Sequence, residues 1–178
     1  AILKFRERFQ RPLTVFDPYA GVGPSMAYLY TDSDLTECVY VNDMNPETRD
    51  LLETNMNVFD KKRDADGTYV VGTMDARSLA SSLPETQGMA DVLLVNLPHD
   101  GVEHLPYLLP LLSNGQALLC GWSIIEKSET EAFMNALKAI LHTANRKIES
   151  DKLDIVKGFS ATKSMVRYEC ILFSKTNR

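Results

Sequence analysis

Cysteine is scarce and scattered: Cys38, Cys120 and Cys170 are the three in 178 residues, an odd number with no C-x-x-C pair. That spacing excludes a disulfide framework and a thiolate zinc site, and leaves reduced, mostly buried thiols. Histidine is as sparse, and of its three residues His99 and His104 are five apart, so they share no helix face and make no metal pair. No apolar run approaches the roughly 20 residues that span a bilayer, and the opening AILKFRERFQ has neither the core nor the cleavage pattern of a signal peptide. A soluble, cytoplasmic protein with no metal and no membrane partner is expected. Repeats, low-complexity tracts and linkers are missing too, so the chain reads as one domain, its 44% hydrophobic residues sufficient for a sizeable core.

Excess positive charge is also lacking, since the net charge is −5, which speaks against indiscriminate binding to nucleic acid. The average conceals an asymmetry. Residues 1–11 carry +3 and residues 138–178 carry +5, while the stretch between them carries −13. An acidic middle between basic ends either presents an anionic polymer to one edge of the domain or is ordinary solvated surface.

Apolar runs and chain breakers alternate along the sequence. LTVFD closes in the Gly/Pro turn DPYAGVGP, PSMAYLYT opens a helix, and ECVYVN is a second strand. In NPETRDLLETNMNVF, Asn45 is an N-cap, Pro46 takes the first helical position, and Leu51, Leu52 and Met56 recur at helical spacing. TYVVGTMD is a third strand, ARSLASSL a short helix, and MADVLLVNLP a fourth strand. GVEHLPYLLPLL is helical with interruptions at Pro106 and Pro110. GQALLCGW is a fifth strand, followed by a helix in which Ser128 and Glu131 have capping-box spacing. LDIVKGFSA and MVRYECILFS follow with no helix between them. Five strand–helix alternations predict a doubly wound, mostly parallel sheet, and the last two strands add an antiparallel C-terminal hairpin, seven strands in all. Such sheets bind ligands beyond the carboxyl ends of their strands.

Those strand ends carry a pattern. Gly21 and Gly23 permit a tight turn and a close backbone approach, and Asp17 stands four residues ahead of them. A dinucleotide site would want a third glycine where Met26 stands, whereas a carboxylate at this place suits a cationic ligand such as S-adenosylmethionine. A merely structural turn is the plain alternative. Asp43, at the second strand end, can accept from both ribose hydroxyls or simply favour a helix start. Asp75, at the third, can accept from an adenine amino group with Met74 or Ala76 against the ring, or simply cap a helix. Three acids at three successive strand ends make the binding reading the stronger. At the fourth, Asn96 offers donor and acceptor on a turn that Pro98 stiffens through its own φ and that of Leu97, a platform for the edge of a nucleobase.

VFDPYAGVGP, VYVNDMNPETRDLLETNMNVF and VLLVNLPHDGVEHLPYLL resemble the corresponding segments of the archaeal and eukaryotic type of tRNA (guanine-N1)-methyltransferase, which modifies the guanosine beside the anticodon. The resemblance runs from about residue 11 to 125 and is looser beyond; its specific piece is the combination of D-x-x-A-G-V-G-P with N-L-P. It implies a Rossmann-like methyltransferase fold, S-adenosyl-L-methionine as cofactor and tRNA as partner. The implied cofactor-binding residues are Asp17, Ala20, Gly21, Gly23, Asp43, Met44, Asp75, Ala76 and Asn96, with Asn96 and Pro98 at the reacting base. Two departures stand out: Ser25 replaces the family's phenylalanine, and residues 1–13 contain no counterpart of its upstream N-P-R-L-like segment, which implies the catalytic core of a longer protein.

The basic C-terminal stretch, with Lys157, Lys163 and Arg167, is expected on the rim near Asn96, meeting phosphate. His99 is either a proton acceptor or a cap for the next helix, and His142 lies in a helix remote from the strand ends. Other readings remain: wybutosine-pathway aminocarboxypropyl transfer, which shares the A-G-V-G loop and the D-x-N-P segment; an amino-group target; a cofactor- or RNA-binding module without turnover; and, more distantly, a nicotinamide-dependent oxidoreductase.

Overall fold

The computed structural model describes residues 1–174. Seven strands form one sheet in the order β3-β2-β1-β4-β5-β7-β6: β1 (Leu13–Asp17), β2 (Thr36–Asn42), β3 (Thr68–Gly72), β4 (Val92–Val95), β5 (Gln116–Glu126), β6 (Arg146–Gly158) and β7 (Lys163–Ser174). β1 pairs in parallel with β2 and β4, β2 with β3, and β4 with β5; β7 runs antiparallel between β5 and β6. The doubly wound sheet with its antiparallel end is thus as expected from the alternation of strands and helices.

The central strands are apolar because both faces are covered. Alternate residues of β1 and β4 enter two different cores. Phe16, Leu93 and Val95 pack with Leu105, Leu108, Leu137 and Leu141 beneath α5 (Gly101–Leu108) and α6 (Thr130–Thr143), the side that also holds α4 (Leu79–Ser82). Val15, Val92 and Leu94 pack with Phe5, Met26, Leu52 and Met56 beneath α1 (Ile2–Arg6), α2 (Met26–Leu29) and α3 (Arg49–Asp60). Both layers terminate at the same carboxyl edge, which leaves the loops after β1 to β4 to meet there.

Several local expectations need correction. Pro106 lies inside α5 rather than interrupting it. The proline removes one backbone donor, and the burial of Leu105 and Leu108 on either side holds the helix through that loss. Only Pro110 marks a break, in the 3-10 turn Leu109–Leu111. Ser128 makes no capping box, because β5 runs on to Glu126 and the turn Lys127–Glu129 absorbs Ser128; α6 starts from Glu129 with no side-chain cap. β6 begins at Arg146, immediately after Asn145 ends the helical stretch in the left-handed region at φ 58°. The hairpin is therefore longer than its β-rich segments suggest.

The fifth strand outruns its neighbour. β4 ends at Val95, opposite Gly121, while β5 continues through residues 122–126, carrying β7 as far as Lys163. At about 3.3 Å per residue this overhang projects roughly 17 Å past the carboxyl end of β4. No helix among the described residues is long and apolar enough to cross a membrane.

Candidate functional site

β1 closes at Asp17 because Pro18 cannot continue the ladder. The chain then turns through Gly21 (φ 56°) and Gly23 (φ 78°), conformations that side chains resist. A Cβ on Gly23 would lie 2.8 Å from Leu52 Cδ1, so this glycine lets α3 pack tightly; a Cβ on Gly21 would meet open space. The turn is held by Gly23 N–H donating to the Ala20 carbonyl (2.8 Å) and Ala20 N–H donating to the Asn42 carbonyl (2.9 Å).

Asp17 is 2% exposed, and among the described residues its carboxylate accepts a single long bond, from Tyr19 N–H (3.4 Å). Burial pushes this carboxyl up to about 7, and the neighbouring Asp43 adds to the rise. Asp43 sits half-buried at the end of β2 and accepts from the backbone N–H of Gly21 (2.9 Å) and of Asn45 (3.0 Å). A carboxylate has about four lone-pair sites, so these two bonds fix Asp43 and still leave acceptor capacity. Asn45 caps the next turn as its sequence position suggests, accepting from Glu47 N–H at 3.0 Å.

Asp75 follows β3 and is already engaged. It accepts from Arg77 N–H (2.9 Å), Nε (3.0 Å) and Nη2 (2.6 Å), and the guanidinium holds its carboxyl down at about 2. Capping of the turn Ala76–Ser78 is thus one of its roles. Asn96 is exposed one residue beyond β4, its amide free of hydrogen bonds to other described residues. The turn after it is rigid: the Pro98 carbonyl accepts from Ile124 N–H (2.9 Å) and Ser123 Oγ (3.3 Å), and the Leu97 carbonyl accepts from Gly101 N–H (2.8 Å).

A cavity of about 280 Å³ gathers these ends, lined by Pro18, Tyr19, Asp43, Met44, Asp75, Ala76, Arg77, Asn96, Leu97 and His104. The structure therefore brings together Asp43, Met44, Asp75, Ala76 and Asn96, while Asp17, Ala20, Gly21 and Gly23 do not line the cavity and adjoin it through Pro18, Tyr19 and the Gly21–Asp43 hydrogen bond, and Pro98 braces the turn outside it. Tyr19, Arg77 and His104 join the site without having been singled out by the sequence. The Tyr19 hydroxyl lies 2.7 Å from His104 Nδ1, tying the β1 loop to α5, and burial raises its pKa. Tyr19 stands inside the DPYAGVGP turn and is legible there; His104 is not, since only the fold of α5 turns it inward.

Asn42 is the other unanticipated residue. Buried at the end of β2, it donates to the carbonyls of Pro18 (3.1 Å) and Met74 (2.9 Å) and accepts from Met74 N–H (3.1 Å), clasping three strand ends. Glycine at position 72 makes room for it, since a Cβ there would approach Asn42 Oδ1 to 2.7 Å.

The basic residues divide. Lys157 and Lys163 are exposed at the hairpin end, with Lys163 Nζ 3.8 Å from Glu126. Arg167 pairs with Asp154 (2.9 Å) and stands 3.0 Å from Glu169, and it lines a second cavity of about 310 Å³ beside α1, with Trp122 and Tyr28. His99 does not cap α5, whose N-cap is Asp100 without a side-chain bond; its ring packs against Phe159. Cys120 and Cys170 are buried and Cys38 is half-buried, all three free.

Among solved structures, TYW2 from M. jannaschii, determined in complex with AdoMet, matches 98% of this chain and 76% of its own at a TM-score of 0.77 and 16% identity. Trm5b from Pyrococcus abyssi matches 96% of this chain and 47% of its own, at 0.74 and 18% identity. Trm1 from Pyrococcus horikoshii, determined with S-adenosyl-L-methionine, matches 97% and 53%, at 0.68 and 13% identity. Identities this low establish a shared fold, and the chain spans only about half the length of the last two. No family model and no curated protein matches the sequence.

Proposed function

We propose that this chain is the S-adenosylmethionine-dependent core of an RNA methyltransferase that transfers a methyl group to guanine N1 beside the anticodon of tRNA. The observation that carries the reading is the acidic, glycine-turned end of β1 and β2. There Asp17, raised to about 7 by burial, neighbours Asp43, which lines a cavity together with Asn96. A carboxylate buried at such cost is relieved by a cation, and the methionine ammonium and sulfonium of S-adenosylmethionine are cations. The open space over Gly21 and the acceptor capacity left on Asp43 fit the backbone approach and the ribose hydroxyls of that cofactor. Met44 and Ala76 supply apolar walls for the adenine beside Asp75, whose carboxylate Arg77 holds in place.

When bound, S-adenosylmethionine supplies a methyl group already activated toward displacement. The chain's own task is to hold the guanine edge-on and let the N1 proton leave. Asn96 offers the donor and acceptor for that edge, and its turn is locked to β5 through the Pro98 carbonyl, so orientation costs little at the moment of reaction. Calorimetric titration with S-adenosylmethionine, followed by single-turnover methyl transfer to tRNA, tests the reading; absence of cofactor binding overturns it. Asn96→Ala is expected to leave cofactor affinity nearly intact while slowing the chemical step about 10²-fold, on the order of 2.7 kcal/mol. Loss of cofactor affinity with an unchanged chemical step would instead put Asn96 in the cofactor site.

Aminocarboxypropyl transfer is the second reading. It is favoured by the A-G-V-G loop with D-x-N-P and by the likeness to TYW2. The product separates the two: S-adenosylhomocysteine accompanies methyl transfer, methylthioadenosine the alternative.

A further inference from the structure

The tip of the β6–β7 hairpin is apolar where solvent would favour polar groups. Ile155 is 67%, Val156 50% and Phe159 52% exposed, and the segment 155–163 that carries them contains two lysines and no acid. Exposed apolar clusters of this kind mark a surface that is covered in use. The tip is also ordered by its own bonds. Phe159 and Ser160 N–H both donate to the Lys163 carbonyl (2.9 and 3.1 Å), and Lys163 N–H donates to Ser160 Oγ (3.0 Å). Lys127 lashes it to the end of β5, donating through N–H to the Thr162 carbonyl and through Nζ to the Ala161 carbonyl, each at 2.8 Å.

That rigid tip reaches the N-L-P turn. The Phe159 and His99 rings stand 6.3 Å apart at 78°, edge to face, and both residues are exposed. His99 is three residues beyond Asn96, on the turn that Pro98 anchors to Ile124. We infer that Phe159 and His99 form an L-shaped aromatic clamp, in which an unpaired nucleobase adjacent to the target base stacks on the exposed face of one ring and is bordered by the other, with Lys157 and Lys163 meeting the phosphates on either side of it. The clamp rests on the RNA reading of the site and adds to it a contact to a neighbouring base that must be free of stacking partners, as in a loop and not in a duplex. Any base offers a π-face to an aromatic ring, whereas a duplex keeps its faces stacked inside. Aromatic surface alternating with lysine matches the alternation of base and phosphate, which a wholly apolar protein partner would not use.

The experiment uses a short single-stranded oligoribonucleotide with one guanine and 2-aminopurine beside it, titrated with the protein and followed by fluorescence. Binding is expected to quench the 2-aminopurine. Phe159→Ala and His99→Ala should each weaken binding roughly tenfold and remove the quenching, Phe159→Trp should retain both, and Lys157→Ala should weaken binding while the quenching at saturation persists. Phe159→Ala binding with unaltered affinity and quenching overturns the clamp. So does a Phe159→Ala protein that loses only concentration-dependent self-association in sedimentation, since the apolar tip would then serve a second copy of the chain. S-adenosylmethionine titration and methyl transfer are read separately. Quenching by a protein that binds no cofactor keeps the clamp and removes the proposed function; transfer that is indifferent to Phe159→Ala does the reverse.

Discussion

At the scale of single residues, two buried groups are out of balance with their surroundings, and each makes a prediction. Asp17 titrates near 7 instead of 3.8, chiefly through burial. A carboxyl raised in the folded state favours folding fully below about pH 4, and that contribution is lost as the pH climbs through 7, on the order of 4 kcal/mol for one buried group. Binding of a cation reverses the preference, because the ligand selects the ionised form. Cofactor affinity should therefore fall as the pH drops below about 7, by about tenfold per unit at the limit, with a proton released on binding. Calorimetry in buffers of different ionisation enthalpy measures that proton, and Asp17→Asn should abolish its release. Tyr168 is the second case. Its ring is fully buried, its hydroxyl has no hydrogen-bond partner among the described residues, and it lies over Gly121, where an added Cβ would come within 2.2 Å of the ring and hydroxyl. Tyr168→Phe removes an uncompensated polar group and should leave stability unchanged or raise it by about 1 kcal/mol, whereas Gly121→Ala should be strongly destabilising. Urea midpoints of the two variants decide the point, and a large loss in Tyr168→Phe would mean that the hydroxyl has a partner in solution.

At the scale of elements, the site depends on strand ends meeting in register, and Asn42 is the clasp. Its three hydrogen bonds join the loops after β1 and β3 across β2. Asn42→Ala strands the buried Pro18 carbonyl and the half-buried backbone groups of Met74, at about 1–3 kcal/mol in stability. Because it loosens the cavity wall, it should also weaken S-adenosylmethionine binding without any direct contact, while Asn42→Asp should rescue only the Met74 N–H bond. Thermal unfolding and titration of both variants measure the two effects. The strands and their mostly parallel arrangement are legible because parallel strands buried on two faces read as continuous apolar runs closed by a carboxylate, an amide or a proline, as β1 and β4 do. Asp43 and Asn96 are legible for the same reason, standing just past those runs. Asn42 is not, since an amide within ECVYVN carries no sign of which carbonyls it will face. The capping-box spacing at Ser128 misleads because antiparallel pairing with β7 carries β5 out to Glu126 and leaves Ser128 in a turn.

At the scale of the whole molecule, the charge asymmetry resolves into places. The acids of the middle segment include the three at the strand ends, and within the basic C-terminal stretch residues 146–174 form the hairpin. Its cations are not equivalent. Arg167 is held by Asp154 and Glu169, while Lys157 stands exposed. Lys157→Ala should therefore lower the salt dependence of RNA binding by about one phosphate contact, a slope change of roughly 0.7 to 0.9, and Arg167→Ala should change it less. Affinities measured from about 50 to 200 mM salt give both slopes, and a larger change for Arg167 would mean that its carboxylate partners let go when RNA binds.

The overhang of β5 joins these scales. One strand carries the Asn96 turn on one flank, through Ile124 and Pro98, and the hairpin tip on the other, through Lys127 and Thr162. The overhang thus works as an interchangeable tool head: trimming two residues from each of its strands would preserve the inward and outward alternation and draw the tip back by roughly 7 Å, while trimming one would turn every side chain over. If the tip meets RNA as proposed, its reach can then be altered in steps of a residue pair.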